Sequence, residues 1–178
     1  MTRLNTALKN LNLIGDWLLP SLARFVFAAV LLSYFWSSAV TKFDGPFTPS
    51  IGAYAQIYPR AIEAAGYDAS QLGLIPKLVV LFGGWSEFLL PLLVALGLFT
   101  RLAALGMICF ITVQSLTDVY GHQVDATAIG QWFDRAPDAA ILDQRSFWVL
   151  LLVILVTKGA GPLSLDALIR RRSAIADD

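Results

Sequence analysis

Charged residues are scarce in this chain, and two chemically important residue types each occur only once. Asp, Glu, Lys and Arg together make up 15% of the 178 residues, whereas a soluble domain usually carries about 25%. The single cysteine, Cys109, excludes an intramolecular disulfide and any cysteine-rich metal site. The single histidine, His122, excludes the paired axial imidazoles of a b-type haem within this chain. Redox or metal chemistry would therefore need a bound molecule or another chain.

The chain is instead rich in hydrophobic residues. Hydrophobic residues make up 57% of it and the mean hydropathy is +0.65. The formal net charge is zero, and no Lys/Arg-rich run of the kind that binds nucleic acid is present. These values predict an integral membrane protein.

Four apolar runs predict an all-α, four-transmembrane-helix bundle, a single membrane domain over residues 1–178. The spans are expected at about 17–40, 77–99, 101–120 and 142–158. Only Thr100 and Arg101 separate the second and third runs, which indicates a tight hairpin. The fourth run is short and crosses the bilayer if residues 139–142 extend it. Residues before 17 have a weak helical pattern, typical of either a short amphipathic surface helix or a partly ordered tail.

Two long polar loops, 43–74 and 122–145, connect the spans, and the first contains two short amphipathic pieces around 51–58 and 61–65. After the fourth run, SLDALIRRR predicts a short helix capped by Ser164. Orientation follows from the basic residues, with Arg24 set aside. One side would hold seven of them (Arg3, Lys9, Arg101, Lys158, Arg170, Arg171, Arg172) and the other five (Lys42, Arg60, Lys77, Arg135, Arg145). The positive-inside rule predicts cytoplasmic termini and extracytoplasmic loops.

A lone carboxylate, Glu87, lies inside the second apolar run. An ionisable group at membrane depth costs at least ~2.5 kcal/mol, so it needs a partner or a role. At ~1.5 Å per residue, Glu87 lies about 21 Å and Gln114 about 20 Å along their helices from the tight turn. Ser33 and Asp118 come out slightly further along. We predict that these groups share a polar layer.

Gln114, Asp118 and His122 are spaced i, i+4, i+8 and so share one helix face. This spacing predicts a polar pocket that contains Glu87 and opens to the external side. A stripe of hydroxyl side chains in the first span, Ser33, Ser37 and Thr41, should face other helices.

Several roles remain open for these residues. Arg24 is either the counter-ion of Glu87 or a side chain that snorkels to lipid phosphates. Glu87 is structural, hydrogen-bonded to Gln114 and Ser33, or it binds a ligand or a proton, and the two roles are compatible. His122 is an interface residue or part of a weak metal site with nearby acids, and no specific metal site is predicted. Tyr34 packs in the bundle or against a quinone ring.

The sequence resembles the DoxX family of small four-helix bacterial membrane proteins, from about Ala23 to Arg172. The matching pieces are Arg24 and Lys42 of the first span, WSEFLLPLLVALGLFTRLAAL around Glu87, and the terminal GAGPLSLDALIRR. Ser37 and Ser38 replace the glycine that the family usually has at the first helix end. Members are linked to thiosulfate:quinone oxidoreductase, to superoxide and thiol defence proteins, or to operons for metal-responsive peptide modification. The resemblance implies a fold better than it implies an activity.

Two functions follow as hypotheses for a protein of the bacterial inner membrane. In the first, the chain passes electrons from a partner protein to quinone, with Glu87 taking a proton and Gln114 or Tyr34 bonding the carbonyl oxygen. Arg24, Ser33, Asp118 and His122 are further candidate ligand-binding residues. In the second, it is a non-catalytic anchor or assembly subunit that docks other proteins. A transporter is a third, weaker candidate because four helices alone would need an oligomer.

Overall fold

The computed structural model describes residues 2–176, except for the side chains of residues 2–4, 6–8, 10, 175 and 176. Within this range, four helices are long and apolar enough to cross a membrane. They are Leu11–Val40, Leu74–Leu96, Thr100–Gly121 and Ala140–Lys158, numbered here as spans 1 to 4. The predicted all-α bundle of four transmembrane helices is confirmed. The described part of the chain begins and ends at one end of the bundle, termed the terminal end, and the two long connections lie at the other, termed the loop end.

Three of the four spans contain a π-helical turn. Ala28–Leu32 lies inside span 1, Thr117–Gly121 ends span 3, and Ala140–Gln144 begins span 4. The remaining elements, in chain order, are α1 (Thr2–Phe27), α2 (Ser33–Val40), β1 (Phe43–Gly45), β2 (Thr48–Pro49), α3 (Ile51–Ile57), α4 (Pro59–Ala64), a 3-10 turn (Ala69–Leu72), α5 (Leu74–Leu96), α6 (Thr100–Leu116), α7 (Ala126–Ile129), α8 (Arg145–Lys158) and α9 (Leu165–Ala176).

The N-terminal residues differ from the prediction. Helix α1 runs without a break from Thr2 into span 1, so residues 2–16 form neither a separate surface helix nor a tail. Pro20 lies inside α1 without ending it. The two amphipathic pieces of the first loop are helices α3 and α4, close to the predicted ranges.

The core is apolar and is shared by all four spans. Its largest fully buried side chains include Phe27 and Phe35 of span 1, Met107 of span 3 and Leu155 of span 4. A smaller cluster joins the first loop to the bundle, because Tyr54 of α3 and Ile62 of α4 pack with Val80 of α5. The first loop is therefore a packed layer over the loop end of span 2.

The turn between spans 2 and 3 is held from outside by α9. Asp166 accepts hydrogen bonds from the backbone N–H of Phe99 (2.8 Å) and of Thr100 (3.0 Å), and from the Thr100 hydroxyl (2.8 Å). These donors are at the start of α6, where backbone N–H groups lack intrahelical partners. Burial raises the pKa of Asp166, but the hydrogen bonds from Thr100 and Phe99 and the charge of Arg170 outweigh burial and hold this pKa below its ordinary value.

The predicted cap of the last helix is confirmed. The Ser164 hydroxyl accepts a hydrogen bond from the backbone N–H of Ala167 at 3.1 Å. This cap starts α9 at the position from which Asp166 reaches the turn.

Candidate functional site

A cavity of about 690 Å³ lies between α5 and α6 and is here termed the lateral cavity. It is lined from Ile75 to Leu90 along span 2 and from Gly106 along span 3. Two of its lining residues near the middle of these spans, Phe82 and Val113, are 67% and 61% exposed. The cavity therefore opens sideways between two spans at the bundle surface, whereas the sequence predicted an opening to the external side. Its size is that of a small-molecule site, about 300–1,000 Å³.

The lining of the lateral cavity has an apolar part and a polar part. Apolar side chains of spans 2 and 3 form the open side. The polar part contains three of the predicted ligand-binding residues and Glu87, and the full polar set is Ser38, Lys42, Gln56, Ser86, Glu87, Gln114, Thr117, Asp118 and His122.

At the centre of the polar part is a buried ion pair. Glu87 Oε2 lies 2.9 Å from Nζ of Lys42, and both side chains are 4% exposed. The Lys42 ammonium also donates to the Ser38 hydroxyl at 2.9 Å and to Gln56 Oε1 at 2.8 Å. Of the three N–H donors of an ammonium, two therefore bond to Ser38 and Gln56. The contact with Glu87 Oε2 is an ion pair at short distance, and this oxygen accepts no well-aligned hydrogen bond from the described residues. The Ser38 hydroxyl lies 3.4 Å from Glu87 Oε1 and completes the network.

Lys42 reaches Glu87 from a position just beyond span 1. Side chains lean toward the N-terminus of their helix, which here directs Lys42 back into the bundle. Gly84, one turn before Glu87, lets this segment approach α5. A Cβ atom on Gly84 would lie 3.3 Å from Cβ of Lys42 and 2.6 Å from a ring carbon of Phe43. Because Gly84 has no side chain, the segment of Lys42 and Phe43 can pack against α5, and this packing positions Lys42.

Arg24 is not the counter-ion of Glu87. Its guanidinium donates to the backbone oxygens of Ala160, at 3.1 Å, and of Leu163. It thus holds the segment before α9 against span 1 at the terminal end. The reason is its lower depth in the bundle and the lean of its side chain away from Glu87. It is also not directed to lipid, which was the other prediction.

The hydroxyl stripe of span 1 does not face the other helices. Ser33, Ser37 and Thr41 are all exposed on the bundle surface, so Ser33 lies outside the polar layer. The next residue around the helix, Ser38, faces Glu87 instead. The π-helical turn at Ala28–Leu32 adds a residue to one helical turn and changes which side of the following helix faces inward.

Gln114 links the lateral cavity to Tyr34. Its Nε2 donates to the Tyr34 hydroxyl at 3.3 Å, while its Oε1 is buried and has no hydrogen-bond partner among the described residues. Tyr34 itself does not line the lateral cavity. Its ring packs against Phe35 and Trp148, with centroids 5.1 and 5.4 Å away. Gln114 Oε1 is therefore a buried acceptor without a hydrogen bond beside the polar part of the site.

Asp118 and His122 line the same cavity, but each also has a structural partner. Asp118 Oδ2 is 2.6 Å from the Arg145 guanidinium, which also donates to the Ser115 hydroxyl at 2.8 Å. His122 Nε2 is 2.9 Å from the backbone oxygen of Gln56. These contacts join span 3 to span 4 and to α3. Within the described residues, no group of three or more His, Cys, Asp or Glu side chains is placed to hold a metal ion.

Comparison with known proteins supports the family. No curated protein and no solved structure shows a significant match to the chain. The DoxX family model matches residues 19–117, more than half of the chain and including Glu87 and Gln114. The chain therefore belongs to the DoxX family.

Proposed function

We propose that this protein is a quinone-interacting membrane subunit of a bacterial redox system. A quinone would enter the lateral cavity from the bilayer, receive electrons from a partner protein and return to the membrane pool. The observation that carries the proposal is a cavity that opens between two spans and has Lys42, Glu87 and Gln114 in its polar part. A quinone has the matching form, with a polar ring at the end of an apolar tail.

The Gln114 amide suits both redox states of the ring. In the orientation described, Nε2 donates to Tyr34 and Oε1 is buried without a partner. A change of side-chain rotamer that exposes Oε1 to the cavity would let it accept from a quinol hydroxyl. Rotation of the amide by half a turn would present its NH₂ group, a donor for a quinone carbonyl, while the oxygen accepts from the Tyr34 hydroxyl. Tyr34 thus supports Gln114 in either orientation and need not contact the ring.

The ion pair supplies a route for protons. Reduction of a quinone consumes two electrons and two protons and gives a quinol. Glu87 would transfer a proton to a ring oxygen and recover it through the neighbouring polar groups, while Lys42 stabilises the carboxylate between transfers. Because Asp118 and His122 line the same cavity, they offer a polar path toward the loop end.

The electrons would come from another protein. The chain has one cysteine and one histidine, too few for an iron–sulfur cluster or a haem with two histidine ligands, and a flavin, haem or metal protein is the expected donor. We place the protein in the inner membrane with cytoplasmic termini. The support is the count of basic residues in the sequence, seven at the terminal end against five at the loop end.

A second candidate is the anchor or assembly subunit. The second loop presents Trp132 and Phe133 at the surface, 58% and 104% exposed, and Phe133 has a positive φ of 67°. A large apolar side chain held out on a left-handed backbone favours contact with another protein at the loop end. Purification from native membranes in mild detergent separates the two roles, because an anchor co-purifies with its partner but does not bind quinone.

The test is equilibrium binding of a short-chain quinone and its quinol to the protein in nanodiscs. Replacing Gln114 with Leu removes one buried hydrogen bond and should weaken binding about five- to tenfold. Glu87→Gln should remove the pH dependence of quinol binding. Asp16→Asn, which removes an exposed carboxylate of a terminal-end ion pair, and Gln131→Leu, on the second loop, are the matched controls.

Three results would contradict the quinone proposal. The parent protein would show no saturable binding, the two cavity variants would bind like the parent, or the controls would lose as much affinity as the cavity variants. The first of these together with a stable co-purifying protein would favour the anchor.

A further inference from the structure

A second cavity, of about 620 Å³, lies at the terminal end of the bundle and is rich in basic side chains. It is enclosed by the start of span 1, the end of span 4, the segment 159–162 and α9. Four cationic residues line it, and we term it the basic recess: Arg101, Lys158, Arg170 and Arg171.

The positive charge of the basic recess is only partly balanced. Lys158 pairs with Asp16 at 2.6 Å, and both side chains are about half exposed. The ion pairs of the described residues include none of the three arginines. The charge of Arg170 lowers the pKa of Asp166, so the two side chains are close. Asp166 nevertheless accepts its hydrogen bonds from the start of α6 and does not line the recess. Four cations and one carboxylate leave three positive charges.

The shape of the recess keeps these charges accessible. The Arg101 side chain lies along Gly159, where a Cβ atom would be 3.5 Å from its Nε. Gly159 and Gly161 both have positive φ, 84° and 75°, which lets the chain turn sharply after span 4. The turn leaves the recess open between span 4 and α9.

The depth of the recess identifies what can reach it. Lys158 is the last residue of span 4 and Arg101 the second residue of span 3, so the cations lie where the spans leave the hydrocarbon. Leu13 and Trp17 of span 1 also line the recess and are 69% and 52% exposed. Apolar side chains beside cations at this level match the junction between the acyl chains and the phosphate of a lipid.

We propose that the basic recess binds the phosphate headgroup of an anionic phospholipid, with the acyl chains along Leu13 and Trp17. Basic pockets between transmembrane helices and juxtamembrane arginines attract such headgroups, at about 1 kcal/mol per cation. This proposal is independent of quinone binding, since the two cavities share no lining residue.

The experiment counts bound lipid by native mass spectrometry in detergent containing either dioleoyl phosphatidylglycerol or dioleoyl phosphatidylcholine. The parent should retain phosphatidylglycerol preferentially. Arg101→Gln should weaken its retention about fivefold, the equivalent of about 1 kcal/mol. The triple replacement of Arg101, Arg170 and Arg171 by Gln should weaken it roughly 100-fold if the effects add.

The control is Arg172→Gln, which removes a neighbouring arginine of α9 that does not line the recess. It should bind phosphatidylglycerol within about twofold of the parent. Arg101→Lys, which keeps the charge, should also retain binding, and melting in phosphatidylcholine shows that every variant is folded.

Equal retention of the two lipids by the parent would overturn the proposal. So would a loss in Arg172→Gln as large as that in Arg101→Gln. Displacement of phosphatidylglycerol by millimolar inorganic phosphate would show a site for soluble anions and would overturn the assignment to a lipid.

Discussion

Removing one member of the Lys42–Glu87 ion pair should destabilise the protein more than removing both. The charged atoms are 2.9 Å apart and the side chains are 4% exposed. With an effective dielectric constant of 20, the attraction at this distance is about 6 kcal/mol. A lone buried ion loses that attraction but keeps a desolvation cost of several kcal/mol. Glu87→Leu alone should therefore reduce the free energy of unfolding by about 3–5 kcal/mol.

The double replacement Lys42→Met with Glu87→Leu leaves no buried charge. Apolar side chains of similar volume often replace a buried pair at little cost. The double variant should therefore be more stable than either single variant, with a coupling energy of about 2 kcal/mol or more. The free energy of unfolding of Glu87→Gln should be close to that of Glu87→Leu, because Gln keeps the shape of the side chain but leaves the Lys42 charge unbalanced.

The assay is reversible unfolding in mixed micelles, followed by circular dichroism, for the parent, both single variants and the double variant. The terminal-end pair of Asp16 and Lys158 provides a control cycle, since its atoms are 2.6 Å apart but its side chains are 61% and 49% exposed. An exposed pair should show a coupling of about 0–1 kcal/mol. Additive losses at Lys42 and Glu87, or a coupling no larger than that of the control, would refute the reasoning.

Three further outcomes are expected. Gly84→Ala should lower the melting temperature and disturb the ion pair, because its Cβ would overlap the ring of Phe43 and crowd Cβ of Lys42; a variant that melts like the parent would contradict this positioning role. Asp166→Ala should reduce the free energy of unfolding by about 1 kcal/mol. Despite burial, hydrogen bonds hold the pKa of Asp166 below its ordinary value, so its charge should stabilise the fold fully above the ordinary pKa and less as the pH falls through the folded-state pKa. The melting temperature of Asp166→Asn should therefore change less with pH in the acid range than that of the parent. In a Cys109→Ala background, an impermeant thiol reagent should label Glu63→Cys from outside intact cells and leave Ser173→Cys unlabelled; the opposite pattern would reverse the orientation.

The spans could be predicted from the sequence because each is a continuous apolar run, and their bounds differ from the prediction by a few residues at most ends. The start of span 1 was the exception. Residues 2–16 are more polar than the span, yet they continue the same helix because neither Gly15 nor Pro20 ends α1. Polarity marks the edge of a membrane, but a helix ends only where its backbone is interrupted or capped.

The sequence predicted the carboxylate of the candidate site, but it did not predict the counter-ion of that carboxylate. Glu87 and Gln114 share a depth that residue counting gives directly. Lys42 was counted instead as a loop charge, because it follows the last residue of span 1. The lean of side chains toward the helix N-terminus was the available signal, since it moves Arg24 away from Glu87 and Lys42 toward it. Arg145, which pairs with Asp118, is a similar case at the start of span 4.

Gly84 is where the fold and the candidate site depend on each other. Without a side chain there, Phe43 of β1 packs against α5, its ring 5.6 Å from that of Trp85. The strand places Lys42 beside α5, and Gln56 of α3 accepts one of the Lys42 hydrogen bonds. The first loop thus supplies Gln56 to the network around Glu87, span 1 supplies Ser38, and Lys42 lies at the junction between the two. A carboxylate in the middle of span 2 is tolerated because the loop end folds over it, and any ligand of the lateral cavity meets residues from both layers.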